Sequence, residues 1–104
     1  MYARIAVVLL LIVSLAGVAS AENPGKGIFT SKCIICHGAD GTGKTQIGKT
    51  LKIPDFHSPE IKKLPDADLK TVITNGKNKM PPFKEKLTEA QIDQVLSYVR
   101  ELGK

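Results

Sequence analysis

The five residues Cys33-Ile34-Ile35-Cys36-His37 constrain this chain more than any other segment. On a helix, positions i, i+3 and i+4 project from one side, so both sulfurs and the imidazole can reach one flat ligand. The two cysteines are the only ones in the chain. A disulfide framework is therefore excluded, and a bridge between Cys33 and Cys36 would close a loop too short to constrain much.

The first residues do not read as part of a fold. Arg4 and the amino terminus precede the apolar run Ile5 to Val13, and Ala19-Ser20-Ala21 follows as a small-residue cleavage site. Residues 1–21 are expected to be a signal peptide cut after Ala21, leaving one exported, periplasmic domain over 22–104. The rival reading is an uncleaved anchor, but the unbroken apolar run falls well short of the about 20 residues that span a bilayer. A domain this small has a thin core and needs a staple or a cofactor.

In an exported chain, C-x-x-C-H is the attachment pattern for one covalently bound haem c. Cys33 and Cys36 are then the thioether residues and His37 the proximal iron ligand. Three other readings compete. A thioredoxin-like C-x-x-C would want a βαβ context, a zinc site would want a further ligand at regular spacing, and a lone disulfide would leave His37 unexplained.

Elsewhere the chain reads as helices and one long loop. Asn23-Pro24 predicts a helix start, with the helix running to Lys32 and with Gly25, Phe29 and Cys33 on one face. The glycine- and proline-bearing stretch from Gly38 to Lys63 reads as a loop, with at most a short turn near Gly48 to Lys52; so long a loop suits a domain that wraps a cofactor. Asp66 to Thr74 is the next helix, with Asp66 and Asp68 favouring its first turn and Asn75-Gly76 as its stop. Thr88-Glu89-Ala90-Gln91 is a capping box, Leu87 and Ile92 can form a hydrophobic staple, and Ile92, Val95, Leu96, Val99 and Leu102 make one stripe. With no strand-like alternation, the expectation is an all-α domain of three to four helices packed around the haem.

A sixth iron ligand decides what such a site can do. Once the signal peptide is gone, Met80 is the only methionine, and it stands in Lys79-Met80-Pro81-Pro82-Phe83. A residue before proline is pushed towards extended backbone, so Met80 is presented from a stiff loop and is the candidate distal ligand. A methionine that merely fills a gap is the plain alternative. His57 is the rival ligand, although Pro54, Asp55 and Pro59 place it on a surface turn.

Two protein ligands would leave no vacancy for substrate and favour outer-sphere electron transfer, with no catalytic residue. A thioether ligand in apolar surroundings, from residues such as Ile47, Leu51, Leu69 and Ile73, would raise the potential.

The net charge is +5. Export and scarce aromatics speak against nucleic acid. Lys77, Lys79, Lys84 and Lys86 crowd the methionine loop with Glu85 as the one acid among them, which fits an acidic redox partner. A solvated loop whose lysines maintain solubility explains the same charges.

These features together resemble the class I cytochromes c, in particular the short bacterial monohaem type, over the whole of residues 22–104. The resemblance implies that the first and last helices cross, with Gly25 and Phe29 against Val95 and Tyr98, and that Asp66 to Thr74 lines the haem crevice. It implies a monomeric carrier that passes single electrons through an exposed haem edge. A haem sensor or peroxidase-like protein with a dissociable Met80, and an electron-transfer subunit of a dehydrogenase or oxidase, are the alternatives. Two departures stand out: many members offer a proline carbonyl to the proximal imidazole soon after the haem motif, whereas the first proline here is Pro54, and there is no tryptophan to anchor a propionate.

Overall fold

The computed structural model describes residues 23–104, so the signal-peptide reading of 1–21 lies outside the described residues. Six helices follow one another: α1 Gly25–Lys32, α2 Ile34–His37, α3 Gln46–Leu51, α4 Pro59–Lys62, α5 Asp66–Asn75 and α6 Glu89–Leu102. Among the described residues the only ladder pairing is an isolated antiparallel bridge between Lys77 and Met80. The all-α expectation holds, and six helices stand among the described residues, with α3 and α4 among the short ones. The loop reading of Gly38 to Lys63 missed α3 and α4, helices too short to show a period. Each has a local cause: the Thr45 and Ser58 side chains accept from the Gly48 and Ile61 backbone N–H groups.

The predicted crossing of the first and last helices is the centre of the structure, with α1 packed on α6. Gly25 makes it possible, because a Cβ there would lie 2.1 Å from the Gln94 carbonyl oxygen and 2.9 Å from Tyr98 Cβ. One turn on, Phe29 is 1% exposed and meets the Tyr98 ring edge-on at 5.4 Å. Val95 is 2% exposed in the same core. Burial of this completeness contributes about 2 kcal/mol for each such side chain. Asn23 is displaced by one position from its expected role: Pro24 occupies the cap, while Asn23 Oδ1 accepts from the Gly25 N–H at 3.0 Å and its Nδ2 donates to Glu101 at 2.7 Å.

The long helix α6 begins as expected. The Gln91 N–H donates to the Thr88 hydroxyl at 3.2 Å, and the Thr88 N–H donates to the Gln91 side-chain oxygen at 2.9 Å. Leu87 and Ile92 are both buried across this cap. Along the stripe Ile92, Val95 and Leu96 are buried and Val99 and Leu102 pack against them.

Arg100, near the end of α6, holds the segment between α4 and α5. Its guanidinium donates to Asp66 at 2.8 Å, to the Ile61 carbonyl at 2.9 Å and to the Leu64 carbonyl. Lys70 of α5 reaches Glu89 at 3.0 Å and Asp93 at 2.9 Å on α6. These exposed pairs contribute little individually, whereas the fork of Arg100 ties two backbone carbonyls at the end of α4 to α6.

Because no space exists for a methyl group at the crossing, Gly25→Ala is expected to lower stability by about 3 kcal/mol, measured by denaturant unfolding of the haem-loaded protein.

Candidate haem attachment site

The attachment residues stand on an almost continuous helical path. α1 stops at Cys33, whose N–H still bonds the Phe29 carbonyl at 2.8 Å, and α2 resumes at once, with the His37 N–H bonded to the Cys33 carbonyl at 3.0 Å. That i to i−4 bond keeps Cys33, Cys36 and His37 on one side, as their spacing requires. Gly38, at φ 81°, ends α2. α3 then packs on α2, pinned by Thr45: its hydroxyl donates to the Cys36 carbonyl at 2.8 Å and accepts from the Gly48 N–H at 2.8 Å.

Both cysteines are free and half-buried. Burial pushes the Cys33 thiol up to about 11, with Lys32 opposing the rise and Cys36 adding to it. A C-x-x-C that exchanges disulfides has a depressed thiol pKa, so this environment is the reverse of a thioredoxin-like one. Among the described residues no group of three His, Cys, Asp or Glu side chains is placed to hold a metal ion. Burial lowers the pKa of His37, favouring the neutral imidazole that can offer a lone pair to iron.

The His37 ring stacks on Phe56, with centroids 4.8 Å apart and planes 28° apart. Its Nδ1 is buried and has no hydrogen-bond partner. Nearby apolar side chains lack cover: Ile35, inside the motif, is 66% exposed, and Ile47 and Leu51, one turn apart on α3, are 42% and 39% exposed. Neutral imidazole, paired free thiols and an uncovered apolar face fit a flat hydrophobic plate attached at residues 33–37.

Met80 is half-buried and packs on the core cluster against which Cys33 also packs. Its backbone is closed into a tight turn with Lys77 by reciprocal bonds of 3.0 and 3.2 Å, with Asn78 in the left-handed region at φ 54°. Beyond the prolines, the Phe83 and Lys84 N–H groups bond the Ile73 and Thr74 carbonyls at 3.0 and 3.1 Å. The turn is thus fixed to the end of α5. Lys77, Lys79, Lys84 and Lys86 are all exposed around it. His57 has another engagement, its Nδ1 lying 2.7 Å from Asp55 Oδ1, and bonds from His57 hold the Asp55 carboxyl below the usual range.

A cleft of about 560 Å³ between α5 and α6 is lined by Asp66, Lys70, Asp93 and Arg100, which are already paired with one another. Sequence reasoning missed Thr45, Phe56 and Arg100 as supports of the site. Thr45-Gln46-Ile47-Gly48 could have been read as a cap, and Arg100 is the one arginine of a domain that otherwise uses lysine. Phe56 carried no local signal.

The model of the family described as cytochrome c oxidase, cbb3-type, subunit III matches residues 20–99. Cytochrome c6 of Rippkaea orientalis (strain PCC 8801 / RF-1) is 42% identical over 86 residues, which is 83% of this chain and 72% of that protein. This chain belongs to the class I c-type cytochromes. A cytochrome c6-like protein of Nostoc sp. (strain PCC 7120 / SAG 25.82 / UTEX 2576) is 37% identical over 100 residues, covering 89% of this cytochrome and 83% of its own length. The solved structure of the KustC0563 c-type cytochrome superposes with a TM-score of 0.71 at 33% identity, over 77% of this chain and 98% of that one. As a cytochrome of this class, the protein carries one covalently bound haem c and transfers electrons; it is not an enzyme.

Thr45→Val removes both the bond that couples α3 to the attachment helix and the cap of α3, and is expected to cost about 2 kcal/mol, read from the thermal unfolding of the haem-loaded protein.

Proposed function

We propose that this cytochrome is a diffusible, monomeric periplasmic carrier of single electrons, with Cys33 and Cys36 as the thioether residues and His37 and Met80 as the axial ligands. The observation that carries the reading is the placement of three attachment residues on one helical side, with a neutral imidazole, while a half-buried methionine stands on a pinned turn against the same core. When bound, the haem supplies the ferric and ferrous states between which one electron is exchanged.

The chain's residues do the rest. The Lys77–Met80 bridge and its ties to α5 hold the backbone that presents the Met80 thioether, so little of the chain rearranges on a change of charge. Apolar Ile73 and Leu69, on the helix to which that turn is tied, disfavour the extra positive charge of the oxidised state and raise the potential. The exposed lysines around Met80 form a positive surface for an acidic partner. Residues 1–21 direct export and are removed after Ala21. Among the described residues no helix is long and apolar enough to cross a membrane.

A second reading, an electron-transfer subunit of an oxidase or dehydrogenase, is favoured by the family description, which names an oxidase subunit. Gel filtration of native extract separates the two: a free carrier elutes as a monomer, a subunit with its complex. A sensor or peroxidase-like role needs Met80 to detach, and ready carbon monoxide binding by the reduced protein would favour it.

Mass spectrometry of the matured protein is expected to show one haem on the peptide holding Cys33 and Cys36, and a chain beginning at Glu22; a chain without a tetrapyrrole would sink the reading. Met80→His is expected to lower the potential markedly, and an unchanged potential would remove Met80 as ligand. Electron-transfer rates with the physiological partner are expected to fall as salt rises, and a flat response would reduce the lysines to solubility.

A further inference from the structure

An axial imidazole can turn about its own bond, and in most metal sites a hydrogen bond from its second nitrogen stops it. That device is missing here. His37 Nδ1 is buried and unpartnered, and no proline carbonyl follows the motif until Pro54. What meets the ring instead is a flat face, Phe56, stacked at 4.8 Å and 28°. Phe29 borders the imidazole at 6.4 Å and 42°.

A wall can orient a ring only if the wall itself is fixed. Phe56 is 8% exposed and lies in the core cluster. Its N–H bonds the Gly41 carbonyl at 2.9 Å, which joins it to the loop leaving the attachment helix. Gly41 is in the left-handed region at φ 73°, and a Cβ there would lie 2.6 Å from Phe56 Cδ2, so the ring is wedged directly on backbone. The Phe29 edge closes another side at 6.1 Å and 64°. Phe29 in turn belongs to the helix crossing, so the orientation of Phe56 is tied to the most rigid part of the fold.

We infer that Phe56 is a positioning residue which sets the plane of the proximal imidazole by face-to-face stacking, in place of a hydrogen bond to Nδ1. This rests on His37 being the iron ligand. The ring plane sets the direction of the magnetic axes of low-spin ferric iron, which gives the idea a readout that stability does not share.

The test uses the mature haem-loaded protein and its Phe56→Leu and Phe56→Tyr variants, compared by proton NMR and by low-temperature electron spin resonance. In the reduced parent, cross-relaxation between the Phe56 and His37 ring protons is expected, and its absence would overturn the inference whatever the variants do. In the oxidised state, Phe56→Leu is expected to keep a low-spin six-coordinate absorption spectrum while the spread of its haem methyl resonances shifts. Phe56→Tyr, which retains the ring, should restore the parental pattern. An unshifted methyl pattern in Phe56→Leu would overturn the inference while leaving His37 as ligand. If His37→Ala kept the parental low-spin spectrum, the ligand assignment itself would fall, and the positioning role with it.

Discussion

The structure depends on the burial of one side chain, Phe29. It is 1% exposed, and its ring lies within 5.4 Å of Tyr98, 6.1 Å of Phe56 and 6.4 Å of His37. Those three rings come from the last helix, from the loop between α3 and α4 and from the attachment helix. One residue of α1 thus joins the most extensive helix contact among the described residues to the site. Interiors packed at this density deform little, so a contact shared among three elements transmits position rather than absorbing it. The bare backbone of Gly25 is what lets α1 come near enough for the arrangement to form.

Electrostatics follows from the same packing. Burial keeps the Cys33 thiol protonated and the His37 imidazole neutral, and each effect has desolvation as its principal cause. A protonated thiol does not exchange readily with passing disulfides, and a neutral imidazole keeps its lone pair for a metal. The motif therefore sits in surroundings that quieten its alternative chemistries.

Much of this was legible in the sequence where the signal was local. The capping box at Thr88 and Gln91, the stripe of α6 and the start of α5 depend on residues within a turn or two of one another, and each stands where it was expected. α3 and α4 were not legible as helices because six and four residues cannot display a period. The C-x-x-C-H spacing announced its geometry, and Pro81 announced a stiff loop around Met80. The stack of Phe56 on His37 joins residues far apart in the sequence, and no periodicity marks such a contact. The assignment to the c-type cytochromes rested on motif and order of elements, and relatives at 33 to 42% identity carry it to the whole domain.

The clasp made by Arg100 has a consequence for the working range of the molecule. Its three acceptors are two peptide oxygens, of Ile61 and Leu64, and the carboxylate of Asp66. A guanidinium never loses its proton under biological conditions, and peptide oxygens do not titrate. Two of the three contacts in the joint between the carboxy-terminal helix and the middle of the chain therefore persist whether or not the Asp66 carboxylate is ionised. A lysine in its place would bring a single point of charge without the fork that spans both oxygens, so this joint is one that only arginine can make.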